Sequence, residues 1–276
     1  MFEGVLYMKE ILKRQIKQLP PLPESIAQIE SVYHNPESTF RDMTKILERD
    51  PMLTASLLKA ANSPLYGFSR EINNVGQAVS LFGMGTVRGF ALATIVKESF
   101  TLDLSPYGIT PDIFAQLSEM QNALVAAWYK KTKPALVNSL SPAAFLVELG
   151  KVLISRCVEE EKCAKEFSEK LKAEGVDKAE EEYCGTKTAA VSATIFDHWK
   201  FEPELITIIE NSDDPSKAPD EAKLLSASLK AVRLAININA TITPESIEAA
   251  LAIVDEFELD RPSFEAALST LAPAEE

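Results

Sequence analysis

The chain has 276 residues, of which 46% are hydrophobic and 25% charged, enough apolar material to bury one large core or two smaller ones. Its formal net charge of -13 opposes unspecific binding to nucleic-acid phosphates or to anionic lipid. No run approaches the roughly 18 continuous apolar residues of a spanning helix, so membrane insertion is not expected. Residues 1–18, MFEGVLYMKEILKRQIKQ, mix charges among apolar positions and show no small-residue cleavage site, which argues against a secretory signal. Cys157, Cys163 and Cys184 share no metal-type spacing and fit reduced thiols, so the expected location is cytoplasmic. Histidine occurs only twice, at His34 and His198.

Apolar periodicity in chain order predicts helices almost throughout. Val5, Met8, Ile11, Leu12 and Ile16 form a first stripe, which Leu19-Pro20-Pro21-Leu22-Pro23 stops. Ile26, Ile29, Val32 and Tyr33 form a second, ended at Asn35-Pro36. Ser38 or Thr39 can cap a third helix, with Phe40, Met43, Ile46 and Leu47 on one face. The sharpest boundary is Asp50-Pro51, where a carboxylate can accept from first-turn N–H groups and the proline lacks a donor that would be unpaired anyway. Leu53, Ser56, Leu57 and Ala60 then face inward, small Ala55 and Ala61 allow close helix approach, and Asn62 is expected as a left-handed C-terminal cap.

A loop over 63–70 leads to a short helix through Val75, Ala78, Val79 and Phe82, ended by Gly83. Gly85 or Thr86 opens the next. Thr110-Pro111 restarts helix, and Ser141-Pro142 repeats that signal ahead of AAFLVELGKVLISRCV, a central apolar helix in which Gly150 marks a close packing contact. Residues 159–183, rich in Glu and Lys, read as a solvated helical face. Helices over 186–200 and 203–210 follow, then a linker at SDDPSKAPDE, 212–221, and three further helices near 221–236, 243–256 and 262–271. The alternation in AININATIT, 235–243, is the one tempting strand. The fold class expected is all-α.

The residues Leu19-Pro20-Pro21-Leu22-Pro23, Arg49-Asp50-Pro51-Met52-Leu53-Thr54, Ala61-Asn62-Ser63, Tyr66-Gly67, Ile72, Ala78 and Leu81-Phe82-Gly83 resemble, in order and spacing, the bacterial HDOD family, the HD-related output domain. The resemblance weakens toward residue 215. It implies a multi-helix HDOD-like domain: an N-terminal helical subdomain over 1–105 packed on a degenerate HD-like helical subdomain over 106–215, with a helical extension over 216–276. It also implies kinship with HD-type metal phosphohydrolases, whose histidines and aspartates hold cations that polarise a phosphoryl group and activate water.

By that resemblance the ligand positions fall at Gln121, Val147, Glu148, Thr188, Asn211 and Ser212. None is a histidine, and Glu148 alone is a carboxylate. His34 lies in the N-terminal part and His198 stands beside Trp199 at a helix end, so neither fills a slot. No catalytic residue, metal or other cofactor is therefore expected. On an apolar helix, Glu148 has to be paired, protonated or turned to a cavity.

Asn62, Ser63, Tyr66 and Gly67 read either as a cap and turn with a tyrosine packed over it, or as an exposed contact loop for a partner or ligand. The expected function is a non-enzymatic signal-transduction module that binds an unidentified signalling protein or small ligand on a phosphohydrolase-like scaffold. The alternatives are a phosphodiesterase or phosphatase with an unconventional site and a DNA-binding regulator. The latter is disfavoured by a short Arg49-Asp50 junction and by Lys59 as the second helix's lone cation.

Overall fold

Proline and capping residues divide the chain into helices whose bounds follow the sequence closely. The structure is a computed structural model describing residues 2–68, 70–99 and 102–271; among these it contains helices and turns and no strand. The chain divides into two compact units, each assembled from separated stretches: Met1–Pro20, Thr101–Ser118 and Val147–Leu259 in the first, Pro21–Phe100, Glu119–Leu146 and Asp260–Glu276 in the second.

The second unit holds α2 (Glu24–His34), α3 (Phe40–Leu47), α4 (Pro51–Ala61), α5 (Val75–Phe82), α6 (Met84–Ser99), the latter half of α7 (Pro111–Tyr129), α8 (Pro134–Leu146) and α16 (Arg261–Leu271). Thr39 and Asp42 form a capping box that opens α3. The Asp50 carboxylate accepts from Met52 and Leu53 N–H at 3.0 and 3.1 Å, with Pro51 as first helical residue of α4. Glu48, Arg49 and Asp50 form a junction one residue longer than expected from sequence. Met43, Leu47, Leu53, Leu57, Ala60 and Ala61 are buried, whereas Ala55 is exposed rather than turned to a neighbouring helix. Phe40 is also largely exposed.

Asn62 does cap α4, but at φ -92°, outside the left-handed region. Its side chain closes the loop instead. The amide donates to Leu58 and Ile72 carbonyls at 2.8 and 2.9 Å and accepts from Ile72 N–H at 2.8 Å. Gly67, at φ 58°, takes the left-handed turn.

The Ser141-Pro142 pair does not open a helix as the sequence suggests: α8 begins at Pro134 and carries Pro142 inside it. A proline there removes the N–H that would bond the carbonyl four residues earlier. That carbonyl, on Asn138, accepts from the Tyr33 hydroxyl at 3.4 Å. Against the same stretch lies α6, through two glycines one helical turn apart. A Cβ on Gly85 would stand 2.8 Å from Asn138 Cα, and one on Gly89 2.7 Å from Pro142 Cα. Trp128 fixes α16, stacking on Tyr129 at 4.4 Å, packing on Phe264 at 4.5 Å and donating to the Asp260 carbonyl at 3.0 Å.

The first unit holds α1 (Phe2–Lys17), the start of α7, α9 (Gly150–Glu160), α10 (Ala164–Glu174), α11 (Val176–Cys184), α12 (Thr188–His198), α13 (Pro203–Glu210), α14 (Asp220–Ala235) and α15 (Pro244–Glu256). Ile11, Leu12 and Ile16 are buried on α1; Val5 and Met8 lie outside the residues whose side chains are described. The long apolar segment is broken by a 3₁₀ turn, Val147–Leu149, between α8 and α9. Pro134–Glu160 has the length and hydropathy to cross a membrane, but 89% of its apolar window is buried inside the protein, the setting of a core helix. A Cβ on Gly150 would stand 2.3 Å from the Thr188 carbonyl, so the glycine is a packing contact.

Of the stretch 235–243, Ala235 ends α14 and the rest turns around Asn237, whose Oδ1 accepts from Asn239 N–H and the Thr241 hydroxyl at 3.0 and 2.9 Å; the side chain competes with the strand ladder the alternation suggested. The stretch 212–221, expected as a linker, is anchored by buried Ser212, Pro215 and Ala218.

Replacing Gly89 by Val forces its side chain into Pro142 and Phe145. Urea unfolding should show a loss of about 1–3 kcal/mol. Gly76→Ala, whose Cβ would meet only ordinary contacts at 3.5 Å or more, should be neutral or slightly stabilising.

Candidate functional site

Glu148 sits in the 3₁₀ turn at the start of α9, 4% exposed, among apolar neighbours. Leaving such a carboxylate unpaired would cost several kcal/mol. Two cations meet it. Lys151, three residues on and 3% exposed, donates to Glu148 Oε2 at 2.5 Å. Arg233, from α14, donates through Nε to Glu148 Oε1 at 2.9 Å. The guanidinium also reaches Asp213 Oδ1 at 2.5 Å and Ser212 Oγ at 3.2 Å. Burial alone pushes the Glu148 carboxyl upward, but the charges and hydrogen bonds of Arg233 and Lys151 outweigh it and hold the group well below the usual carboxylate range.

A second buried carboxylate completes the cluster. Glu180, 1% exposed on α11, accepts the Tyr107 hydroxyl at 2.8 Å and the Thr188 hydroxyl at 2.5 Å on Oε1, and Thr188 N–H at 2.6 Å on Oε2. Because Thr188 is the first residue of α12, Glu180 supplies from a distance the cap that Lys187 does not, at the positive end of that helix. Lys151 joins the two carboxylates: its ammonium donates to Thr188 Oγ1 at 3.1 Å, lies 3.9 Å from Glu180 Oε1 and sits 5.6 Å from the Tyr107 ring centroid. At Glu180 burial prevails over these partners and its carboxyl is raised. Burial and the nearby Glu180 charge raise the Tyr107 phenol well above its ordinary value.

Of the six positions carried over from HD-type sites, Glu148, Thr188 and Ser212 converge on this cluster. Val147 is buried, and its carbonyl accepts from Ser192 Oγ at 2.7 Å, the same hydroxyl that accepts from Gly150 N–H at 2.7 Å. Asn211 caps α13 and donates to the Thr207 carbonyl at 2.9 Å. Gln121, 1% exposed, belongs to the second unit. Sequence reasoning missed Lys151, Glu180, Arg233 and Tyr107. Lys151 had a visible signal, a cation three residues from a lone carboxylate on an apolar segment. Arg233 had none, being 85 residues away.

A divalent cation takes several free oxygen or imidazole ligands. Here all four carboxylate oxygens of Glu148 and Glu180 already accept strong donors, and the Lys151 ammonium lies within 2.5 Å of one carboxylate and 3.9 Å of the other. These residues do not fit a divalent metal centre.

The contact-loop residues lie in the second unit. The Asn62 amide is committed to the loop's own backbone, and Ser63 Oγ accepts from Leu65 N–H at 3.4 Å. The Tyr66 hydroxyl accepts from Asn122 Nδ2 at 2.9 Å, and Asn122 in turn accepts from the buried Ser141 hydroxyl. Burial raises the Tyr66 phenol above its ordinary value. The loop is thereby fixed to the α7 and α8 segments of its own unit. Cys157, whose thiol burial pushes up to about 12, is an inert core residue.

Since Glu148 ionises more readily folded than unfolded, its stabilisation is complete above the ordinary carboxylate value, about 4.3, and disappears as pH falls below it. Glu180 acts in the opposite sense, its stabilising contribution declining as pH rises above that value. Lys151→Met should cost about 3–5 kcal/mol at neutral pH, because it leaves buried Glu180 with no cation beside it and Glu148 with Arg233 as its remaining one. Stability curves of Glu148→Gln below pH 5 should be flatter than those of the parent, and a matching acid slope in both would contradict this assignment.

Known proteins share this architecture. The chain matches the HDOD domain over residues 19–215. A Campylobacter jejuni virulence factor is 27% identical, with TM-score 0.58, over 97% of this chain and 95% of that one. A Geobacter sulfurreducens HDOD domain protein of unknown function is 19% identical with TM-score 0.62 over 98% and 99% of the two chains. A Marinobacter aquaeolei protein assigned to signal transduction is 19% identical with TM-score 0.66, and the chain spans 63% of its length. The last two likenesses concern the fold alone. A Treponema pallidum protein is 27% identical over 70 residues, 25% of this chain and only 14% of that protein. With the match running through most of both units, the chain belongs to the HDOD domain family.

Proposed function

We propose that this protein is a non-catalytic regulatory module of bacterial signal transduction, a pseudoenzyme in which a phosphohydrolase-like scaffold serves binding. The observation that carries the reading is the Glu148 carboxylate bonded on one oxygen by Lys151 and on the other by Arg233. In a phosphohydrolase, the charge opposite such carboxylates is a metal ion with open coordination positions for water and phosphate. Here it is two tethered side chains with no position to exchange. They neutralise the buried carboxylate and present no Lewis acid to a substrate.

What remains for function is surface. The Asn62–Gly67 loop, held from behind by the Tyr66–Asn122–Ser141 hydrogen bonds, is a rigid element on which an unidentified signalling protein or small ligand docks. Rigidity favours binding because little conformational entropy is lost on association.

The test is metal content together with turnover. Protein purified and then incubated with Mg, Mn or Fe should hold no stoichiometric metal. It should hydrolyse bis-p-nitrophenyl phosphate no faster than buffer. Stoichiometric metal accompanied by turnover that disappears in Glu148→Gln would overturn the reading.

A further inference from the structure

Beside the Asn62–Gly67 loop, within the second unit, a groove of about 690 Å³ is lined by Tyr66, Phe68, Phe82, Thr86, Lys130 and Lys131, among others. One part of its lining is aromatic: Phe82 meets Tyr66 and Phe68 edge to face, with centroids 4.7 and 5.4 Å apart. Another comes from α7, where Ala123, Ala126 and Ala127 share one helical face with side chains that end at Cβ. The volume lies in the range of small-molecule sites, and apolar walls with a few placed polar groups are their usual composition.

Those polar groups are cationic. Lys130 and Lys131 are exposed at the end of α7 in the run Lys130-Lys131-Thr132-Lys133. In a chain of net charge -13 this is a local reversal of sign, which concentrates anions at the groove. Lys130 is held in place: its ammonium donates to the Leu81 carbonyl at 3.0 Å and lies 5.5 Å from the Phe68 ring centroid. One such bond leaves an ammonium with further N–H donors to offer. Thr86, 4% exposed, adds a hydroxyl to the lining.

We infer that this groove binds a small organic anion with an aromatic or apolar body, the body against Tyr66, Phe82 and the α7 alanines, the anionic group on Lys130 and Lys131. The inference rests on the binding role proposed above and names the ligand class for it.

The probe is 8-anilinonaphthalene-1-sulfonate, an aromatic anion that fluoresces when desolvated, compared with the uncharged N-phenyl-1-naphthylamine. The parent protein should bind the sulfonate at a single site. Lys130→Gln with Lys131→Gln should weaken it about tenfold, the loss expected for hydrogen bonds to a charged group, and leave the uncharged dye unaffected. Ala127→Trp, at an exposed position, should fill the groove and abolish both. Circular dichroism and urea midpoints identify any variant that fails to fold, in which case Lys131→Gln alone supplies the charge test. No single-site binding to the parent, or affinity unchanged by the lysine substitutions and by Ala127→Trp, overturns the inference. Either result leaves the metal and turnover measurements untouched, so the two readings fail separately.

Discussion

The first unit is organised around a carboxylate that could not be buried alone. Glu148 is closed off by Lys151 from its own segment and by Arg233 from α14. Each cation brings a further acid with it: Lys151 stands against Glu180, and Arg233 is bonded to Asp213. Charge balance thus ties α9, α11, α14 and the turn after α13 to one point. Such a network seldom adds net stability over an apolar core of equal volume, but it penalises any arrangement in which a member loses its partner. It therefore selects one packing of these helices.

The second unit solves its packing problem without charge at the tightest place. Where α6 crosses α8, Gly85 and Gly89 bring backbone against backbone, and Pro142 releases a carbonyl that Tyr33 satisfies. A half-buried ion pair does appear nearby. Arg88, 1% exposed, makes a two-point contact with Glu30 at 2.6 and 2.7 Å and lies 4.5 Å from the Tyr33 ring centroid. An arginine in this setting is matched by planar geometry as well as charge, which lysine would not reproduce.

Much of this was legible in the sequence because the signals were local. Asp50-Pro51 and Thr110-Pro111 each carry a cap and a first-turn proline within two residues, and each opens a helix as expected. Ser141-Pro142 carries the same kind of signal and means something else, since only the packing of α6 reveals that the helix had already begun at Pro134. The candidate site was half legible. Glu148 announced itself as a lone acid on an apolar helix that needed a partner. The identity of its partners depends on the approach of α14, which no spacing encodes. Glu180 was hidden in a run of glutamates, where composition gives each residue the same solvated reading and burial distinguishes one of them. Asn62 was read for its backbone tolerance, whereas its contribution lies in the side chain.

The Asn62 amide makes with Ile72 the pair of bonds that two strands would exchange, donor to carbonyl and carbonyl to N–H. The ends of the intervening segment are therefore stapled together at its base, and the entropy of closing it is met there rather than along its length. Tyr66 adds a second tie in the middle of the segment through its hydrogen bond with Asn122. Exposed Arg70 and Glu71, between these ties, are the positions of the segment where a family could diversify what it recognises while keeping its architecture.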